Sequence, residues 1–251
     1  SLGLVGSEMC IRDRFKTKPK CISEWYGINI DYEHEKLFPI PLGIANNYSP
    51  KNLTYSNFLA KEKVSPKLKK IYCNYNPNTN NYERKNIKDK FLSNDLLFFD
   101  EPNLSFEQYS SRLREYEFVL CPWGNGFDTH RFWETLYSGS IPVTKVHHTY
   151  SFIPSSNALF IDSYDDINEN LLNEFLQNYQ QIDPNLLTVS FWIDLMNKSH
   201  VDSHESKLVF EQKFITTYRI YEQLIFFKSA SYLKKLKYYF FKIPKLFRKF
   251  Q

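Results

Sequence analysis

Apolar and polar positions change register in short blocks along this chain, and the blocks predict alternating strands and helices. Residues 15–50 close in KLFPIPLGIANNYSP, an apolar run ended by Pro, Gly and Asn, which reads as a strand leading into a loop. Residues 51–70 are Lys-rich and read as helix or surface loop. Ile71–Asn76 (IYCNYN) alternates as a strand should, and PNTNN after it is a turn. The charges of Glu83, Arg84, Lys85, Lys88, Asp89 and Lys90 predict a helix over Tyr82–Leu92. Leu96–Phe99 reads as a short strand, Ser105–Glu115 as a helix and Glu117–Cys121 as a buried strand.

The next segment is PWGNGFDTHRFWETLYSGSIPVTKV. Its Pro and two glycines make a turn, and Asp128 or Thr129 is a suitable N-cap. A helix of about ten residues would then end at Gly139, a natural residue for the position just past a helix. IPVTKV supplies a further strand. Strand, glycine loop, helix and strand form a βαβ unit, which implies a parallel sheet. Phe160–Asp162 reads as another strand tip, followed by a helix over about Ile167–Gln180. Beyond Ser206 the spacing of Leu208, Phe214, Ile215, Tyr218, Tyr221, Leu224 and Ile225 predicts helix to the end of the chain.

Composition narrows the classes. The chain has 251 residues, 42% hydrophobic and 18% aromatic, enough for a buried core and too apolar for a disordered chain. No run of eighteen apolar residues exists, so no segment reads as a membrane span. Charge is uneven. From Phe226 to Gln251 there are eight Lys or Arg and no acid, which leaves the remainder about four units negative within a net charge of +4. A nucleic-acid binder carries its basic surface through the fold, so no nucleic-acid partner is expected. The tail at 226–251 interleaves those cations with aromatics, as helices lying on anionic membrane surfaces do.

Residues 1–14, SLGLVGSEMCIRDR, resemble translated sequencing-adapter read-through and are set aside from fold reasoning. Cys10 goes with them. Cys21, Cys73 and Cys121 remain, too widely spaced for a disulfide framework or a zinc pattern, and read as buried thiols.

The candidate chemistry lies in the glycine loop. Outside residues 1–14 the chain has five glycines, and three of them (Gly124, Gly126, Gly139) fall in one sixteen-residue window. Such a loop lets a ligand approach the main chain, and the N–H groups opening the next helix attract anions. Arg131 adds a cation able to bridge phosphate oxygens, and Glu134, one turn on, can accept from paired hydroxyls such as those of a ribose. These residues could hold a nucleotide diphosphate. A loop that uses glycine only for turning, with Asp128 as a cap, reads the same spacing equally well.

FVLCPWGNGFDTHRFWETLYSGSIPV resembles the C-terminal signature of exostosin-like glycosyltransferases, and WYGINIDYEHEKLFPIPLGIAN resembles the segment before their Pro-Leu-Gly-Ile turn. The similarity covers roughly residues 22–195 and is most specific over 118–143. It implies a GT-B fold of two Rossmann-like domains, with the C-terminal one binding a nucleotide diphosphate sugar, UDP-linked, without a metal or other cofactor. On this resemblance residues 15–50 are the remnant of the acceptor domain, 51–205 the donor-binding domain and 206–251 a helical basic tail. Gly124, Asn125 and Gly126 form the donor loop. Asp128, Thr129, His130 and Arg131 face the diphosphate and sugar, and Glu134 binds the ribose. The partners implied are the donor and a glycan or other hydroxyl acceptor, and the implied stereochemistry is inversion. Trp123 departs from the pattern, because a polar residue commonly follows the motif's proline.

Other candidates carry less. His130 could be a general base. Arg84 could reach the diphosphate from a neighbouring helix. His147–His148 and His200–His204 lack carboxylate or Cys partners and read as surface histidines. Asp165–Asp166 reads as a loop or cap. The Asn-X-Ser/Thr triplets at Asn47, Asn52 and Asn197 are too common in so Asn-rich a chain to use. Two rival functions stay open: a fucosyltransferase-like GT-B enzyme using a guanine nucleotide, and a non-catalytic glycan- or nucleotide-binding module.

Overall fold

The structure is a computed structural model that describes residues 15–16, 18, 24–45, 53–58, 67–91, 93–101 and 103–201. Residues 1–14 and the tail at 206–251 lie outside the described residues. The chain divides into two units, Ser1–Met196 and Asn197–Gln251. Of the second, only residues 197–201, the end of one helix, are described.

The first unit is built on a parallel sheet of five strands: β3 (Leu68–Cys73), β4 (Leu97–Phe99), β5 (Tyr116–Leu120), β6 (Ile141–Lys145) and β7 (Leu159–Ile161). They lie side by side in the order β4-β3-β5-β6-β7, with every pair parallel. Five helices are described: α1 (Asn86–Phe91), α2 (Phe106–Glu115), α3 (His130–Tyr137), α4 (Glu169–Asn178) and α5 (Val189–Val201). Side chains alternate across the sheet and both faces are covered, as a parallel sheet requires. One face buries Ile71, Cys73, Phe118, Leu120, Val143 and Ile161 against Ile87 and Phe91 of α1 and Leu172 of α4. The other buries Tyr72, Val119 and Cys121 against Leu113 of α2 and Phe132, Trp133 and Leu136 of α3. This is a mixed α/β, Rossmann-like architecture.

A separate pair of parallel strands precedes the sheet: β1 (Trp25–Gly27) and β2 (Leu37–Pro39). Leu37 and Ile30 pack there with Phe15. The sequence pattern predicts β2 but not β1, because three residues are too few to show alternation.

Boundaries shift where side chains compete with the backbone ladder. The strand expected at Ile71–Asn76 runs from Leu68 to Cys73. Asn74 leaves the ladder and its Nδ2 donates to the Glu101 carbonyl at 2.9 Å, while Asn76 Oδ1 caps the following turn. The helix expected over Tyr82–Leu92 is two elements: a π turn at Asn81–Lys85, then α1. Ser105 opens α2 with a reciprocal capping box to Gln108. Helix α3 has eight residues rather than about ten, ending before Gly139, whose φ of +72° suits glycine. The strand expected at Phe160–Asp162 is shifted by one residue, and α4 is shorter than expected because Asn168 caps it.

Candidate functional site

Strand β3 leads to β4 on one side and the chain then returns past β3 to β5 on the other. The crossovers diverge between β3 and β5, and the crevice beyond the carboxyl ends of two such strands is where open α/β sheets bind ligands. The loop Pro122–Asp128 leaves β5 at that point. Gly124 N–H donates to the Gly126 carbonyl at 2.9 Å, closing a tight turn. The Phe127 carbonyl accepts from the Tyr150 hydroxyl at 2.8 Å.

The π turn places Glu83 and Arg84 side by side, and both are buried. Arg84 fills the crevice floor. Its Nε donates to the Trp123 carbonyl at 2.8 Å, Nη2 to the Pro122 carbonyl at 3.0 Å and Nη1 to the Asn76 carbonyl at 3.2 Å. The side chain of Asn80, which caps the same turn, donates to the Gly124 carbonyl at 3.0 Å. A Cβ on Gly124 would stand 2.9 Å from Arg84 Nη2, so packing against the guanidinium is what requires glycine there.

Asp128 is buried beneath the start of α3. It does not cap the helix. Its Oδ1 accepts from Trp133 Nε1 at 2.8 Å and its Oδ2 from Leu42 N–H at 2.7 Å. Burial pushes its pKa up to about 7, against the opposing pull of those donors. Thr129 is the N-cap residue, yet its hydroxyl makes no cap bond. The Asp128 N–H is taken by Asn29 Oδ1 at 2.6 Å, and Asn29 itself has a positive φ of 53°. That amide also stands where a Cβ on Gly126 would be, at 2.5 Å. His130 Nδ1 donates to the Gly43 carbonyl at 2.7 Å, which leaves the lone pair of a neutral ring on Nε2. Asn125, at the loop tip, is exposed.

Arg131 lies over the Tyr109 ring, 5.9 Å from its centroid, and its Nε is buried with no hydrogen-bond partner among the described residues. Burial works against its charge, and Tyr109 and Glu134 outweigh that and hold the pKa above the usual value. Glu134 is 4% exposed, accepts from the Tyr109 hydroxyl at 3.0 Å and from the Leu53 N–H, and burial raises its pKa. Arg84 is pushed down to about 10 by burial and by the neighbouring charge of Arg131. The two guanidinium groups are close enough for the charge of Arg131 to bear on Arg84. Among the described residues neither has a carboxylate at ion-pair distance.

No family model matches the chain, and no curated protein matches it.

Geometry thus brings Arg84, Gly124, Gly126, Asp128, His130 and Arg131 around one loop, with Glu134 below on α3. Sequence reasoning missed three contributors. Asn29 and Leu42 arrive from a remote segment, and no local pattern marks them. Glu83 reads in sequence only as one charge of the helix pattern over Tyr82–Leu92; in the fold its Oε2 accepts from Lys145 Nζ at 2.8 Å and its Oε1 from the Tyr164 hydroxyl at 2.7 Å. Lys145 in turn lies 4.2 Å from the centroid of the Trp123 ring, a cation–π contact at the motif's unusual position. Trp123 meets Phe127 edge to face, and Phe127 stacks on His147 with centroids 3.6 Å apart. His147 is held near pKa 4 by burial and by His148, and its Nδ1 accepts from Thr149 N–H. Asp166 completes a capping box with Ser163. Cys73 and Cys121 are buried free thiols, with burial pushing the Cys121 thiol to about 12. Cys21, His204 and the tail lie outside the described residues.

Proposed function

We propose that this chain is a glycosyltransferase of GT-B type that binds a nucleotide diphosphate sugar in the β3–β5 crevice and transfers the sugar to a hydroxyl acceptor. The observation that carries the reading is Arg131, a cation on the first turn of the helix after the glycine loop, whose buried Nε has no hydrogen-bond partner among the described residues. A diphosphate presents oxygens able to accept from such a group. The buried, unpartnered Nε of Arg131 gives it a donor. On this reading residues 15–50 belong to the acceptor-binding part, and the donor is UDP-linked.

The reaction would be displacement at the anomeric carbon. The acceptor oxygen forms the new C–O bond as the bond to the diphosphate oxygen breaks, and the leaving group gains charge next to Arg131. His130 is the candidate base. Its Nδ1–H is tied to Gly43, so Nε2 is free to take the acceptor proton.

Calorimetry on the full chain tests the proposal with uridine diphosphate, guanosine diphosphate and pyrophosphate. Wild type should bind uridine diphosphate, and Arg131→Ala should weaken that binding by about 1.5–3 kcal/mol. A preference for guanosine diphosphate would move the reading to the fucosyltransferase-like enzyme. Donor binding with no hydrolysis or transfer would leave a binding module. Absence of binding by all three ligands would end the diphosphate reading.

A further inference from the structure

The π turn at Asn81–Lys85 is a departure from regular helix, and such single turns re-aim side chains. Here it turns two consecutive charged residues inward. Glu83 goes to Lys145 at the end of β6 and to Tyr164 beyond β7, and Arg84 goes to the loop after β5. A guanidinium carries five N–H groups in a rigid fork, and Arg84 spends three of its donors on carbonyls from two segments: Asn76 after β3, and Pro122 and Trp123 after β5. Those segments border the crevice on its two sides. With Asn80 on the Gly124 carbonyl, the turn holds the carbonyls of three successive loop residues, Pro122, Trp123 and Gly124.

We infer that Arg84 is a positioning residue that sets the path of the Pro122–Gly126 loop by binding these carbonyls, and that it is not itself a ligand contact. The inference rests on the diphosphate reading for its functional consequence and on the geometry alone for its structural one. It differs from the sequence expectation, in which Arg84 reaches the diphosphate. The two roles separate on the loop: a cation that only touches ligand leaves the loop amides as they are when lysine replaces it, whereas three carbonyls held by one planar fork lose their common anchor.

Arg84→Lys is the deciding variant, with Gly124→Ala as the second, because its methyl would stand 2.9 Å from Nη2 while altering no charge. Two measurements are made on the full chain: hydrogen exchange of the amides at 123–128, and affinity for pyrophosphate and uridine diphosphate. Both variants should keep a cooperative unfolding transition, exchange the loop amides at least about tenfold faster, and lose about tenfold or more in affinity for both ligands. Arg84→Lys with wild-type loop exchange, or with wild-type affinity, would overturn the inference. If wild type binds neither ligand, the diphosphate reading falls and the exchange measurement alone decides the positioning role. Should Arg84→Lys not fold, Gly124→Ala carries the same two readouts, and unchanged loop exchange in that variant overturns the inference.

Discussion

Leu42 donates its main-chain N–H to the carboxylate of Asp128 at 2.7 Å, across 86 positions of sequence. The bond joins the segment after β2 to the base of the glycine loop. Asp128 gives a third anchor through Trp133, so one buried carboxylate ties the glycine loop, a helix and the segment after β2 together.

That carboxylate makes stability depend on pH. Its folded pKa of about 7 lies above the unfolded value of 3.8, so between those values the folded state binds the extra proton. The contribution of Asp128 to stability therefore falls as pH rises from about 4 to 7 and is lowest above 7. Asp128→Asn removes the titration. Urea melts at pH 5 and pH 8 should show the wild-type-minus-variant difference shrinking at the higher pH, by on the order of 1–3 kcal/mol. A difference independent of pH would show that the group is ionised throughout.

His147 titrates in the opposite sense. Its folded pKa of about 4 lies below the ordinary 6.5, so the unfolded state binds more protons between them and stability is lost as pH falls through that window. His147→Phe keeps a ring to stack on Phe127 and abolishes the titration. The variant loses the bond from Thr149 N–H at every pH, so in thermal melts its deficit against wild type should be smaller at pH 5 than at pH 8. An equal effect at both values would contradict this.

Gly126 and Asn29 should be coupled. A methyl at Gly126 meets the Asn29 amide at 2.5 Å, so Gly126→Ala should destabilise by about 1–3 kcal/mol. Asn29→Ala removes the obstruction together with the bond to Asp128 N–H. A double-mutant cycle should therefore be non-additive, the pair costing less than the sum of the single changes. Additivity would mean that Gly126 is required for its own backbone path.

Glu134→Gln tests the ribose assignment. The carboxylate already accepts from Tyr109 and Leu53, so the amide should lower stability by about 1–2 kcal/mol. If Glu134 also receives ribose hydroxyls, affinity for uridine diphosphate drops while that for pyrophosphate holds. Equal changes for the two ligands would assign Glu134 to the core alone.

The parts legible in sequence were those governed by local rules. Ser105 with Gln108 announces α2, and the glycines, the apolar EFVLC and the IPVTKV run delineate β5, α3 and β6. The loop lies where the glycines predict a turn, Gly139 for its positive φ and Gly124 and Gly126 for the room they leave to Arg84 and Asn29. What each polar residue does was less legible. Asp128 looks like a helix cap and is a buried acceptor for Leu42 and Trp133, while Arg84 looks like a phosphate ligand and holds carbonyls. Such roles depend on partners dozens of residues away, which local spacing does not encode. Helix α5 is hard to read in sequence because Phe191 and Leu195 widen the stripe that Val189, Trp192, Ile193 and Met196 form at helical spacing.

The tie between Asn29 and Asp128 spans 99 positions, and that distance governs the order in which the molecule can assemble. Residues 24–45 leave the ribosome early, with only two three-residue strands to order them. Their partners at Asp128 and His130 do not yet exist. Closing loops this long demands entropy that only a formed sheet can repay, so the early segment must wait through the synthesis of three strands before it docks. In a folding experiment, protection of the Asp128 amide marks the last event at the site, and a refolding trace that reports it separately from the sheet would time the birth of the binding loop.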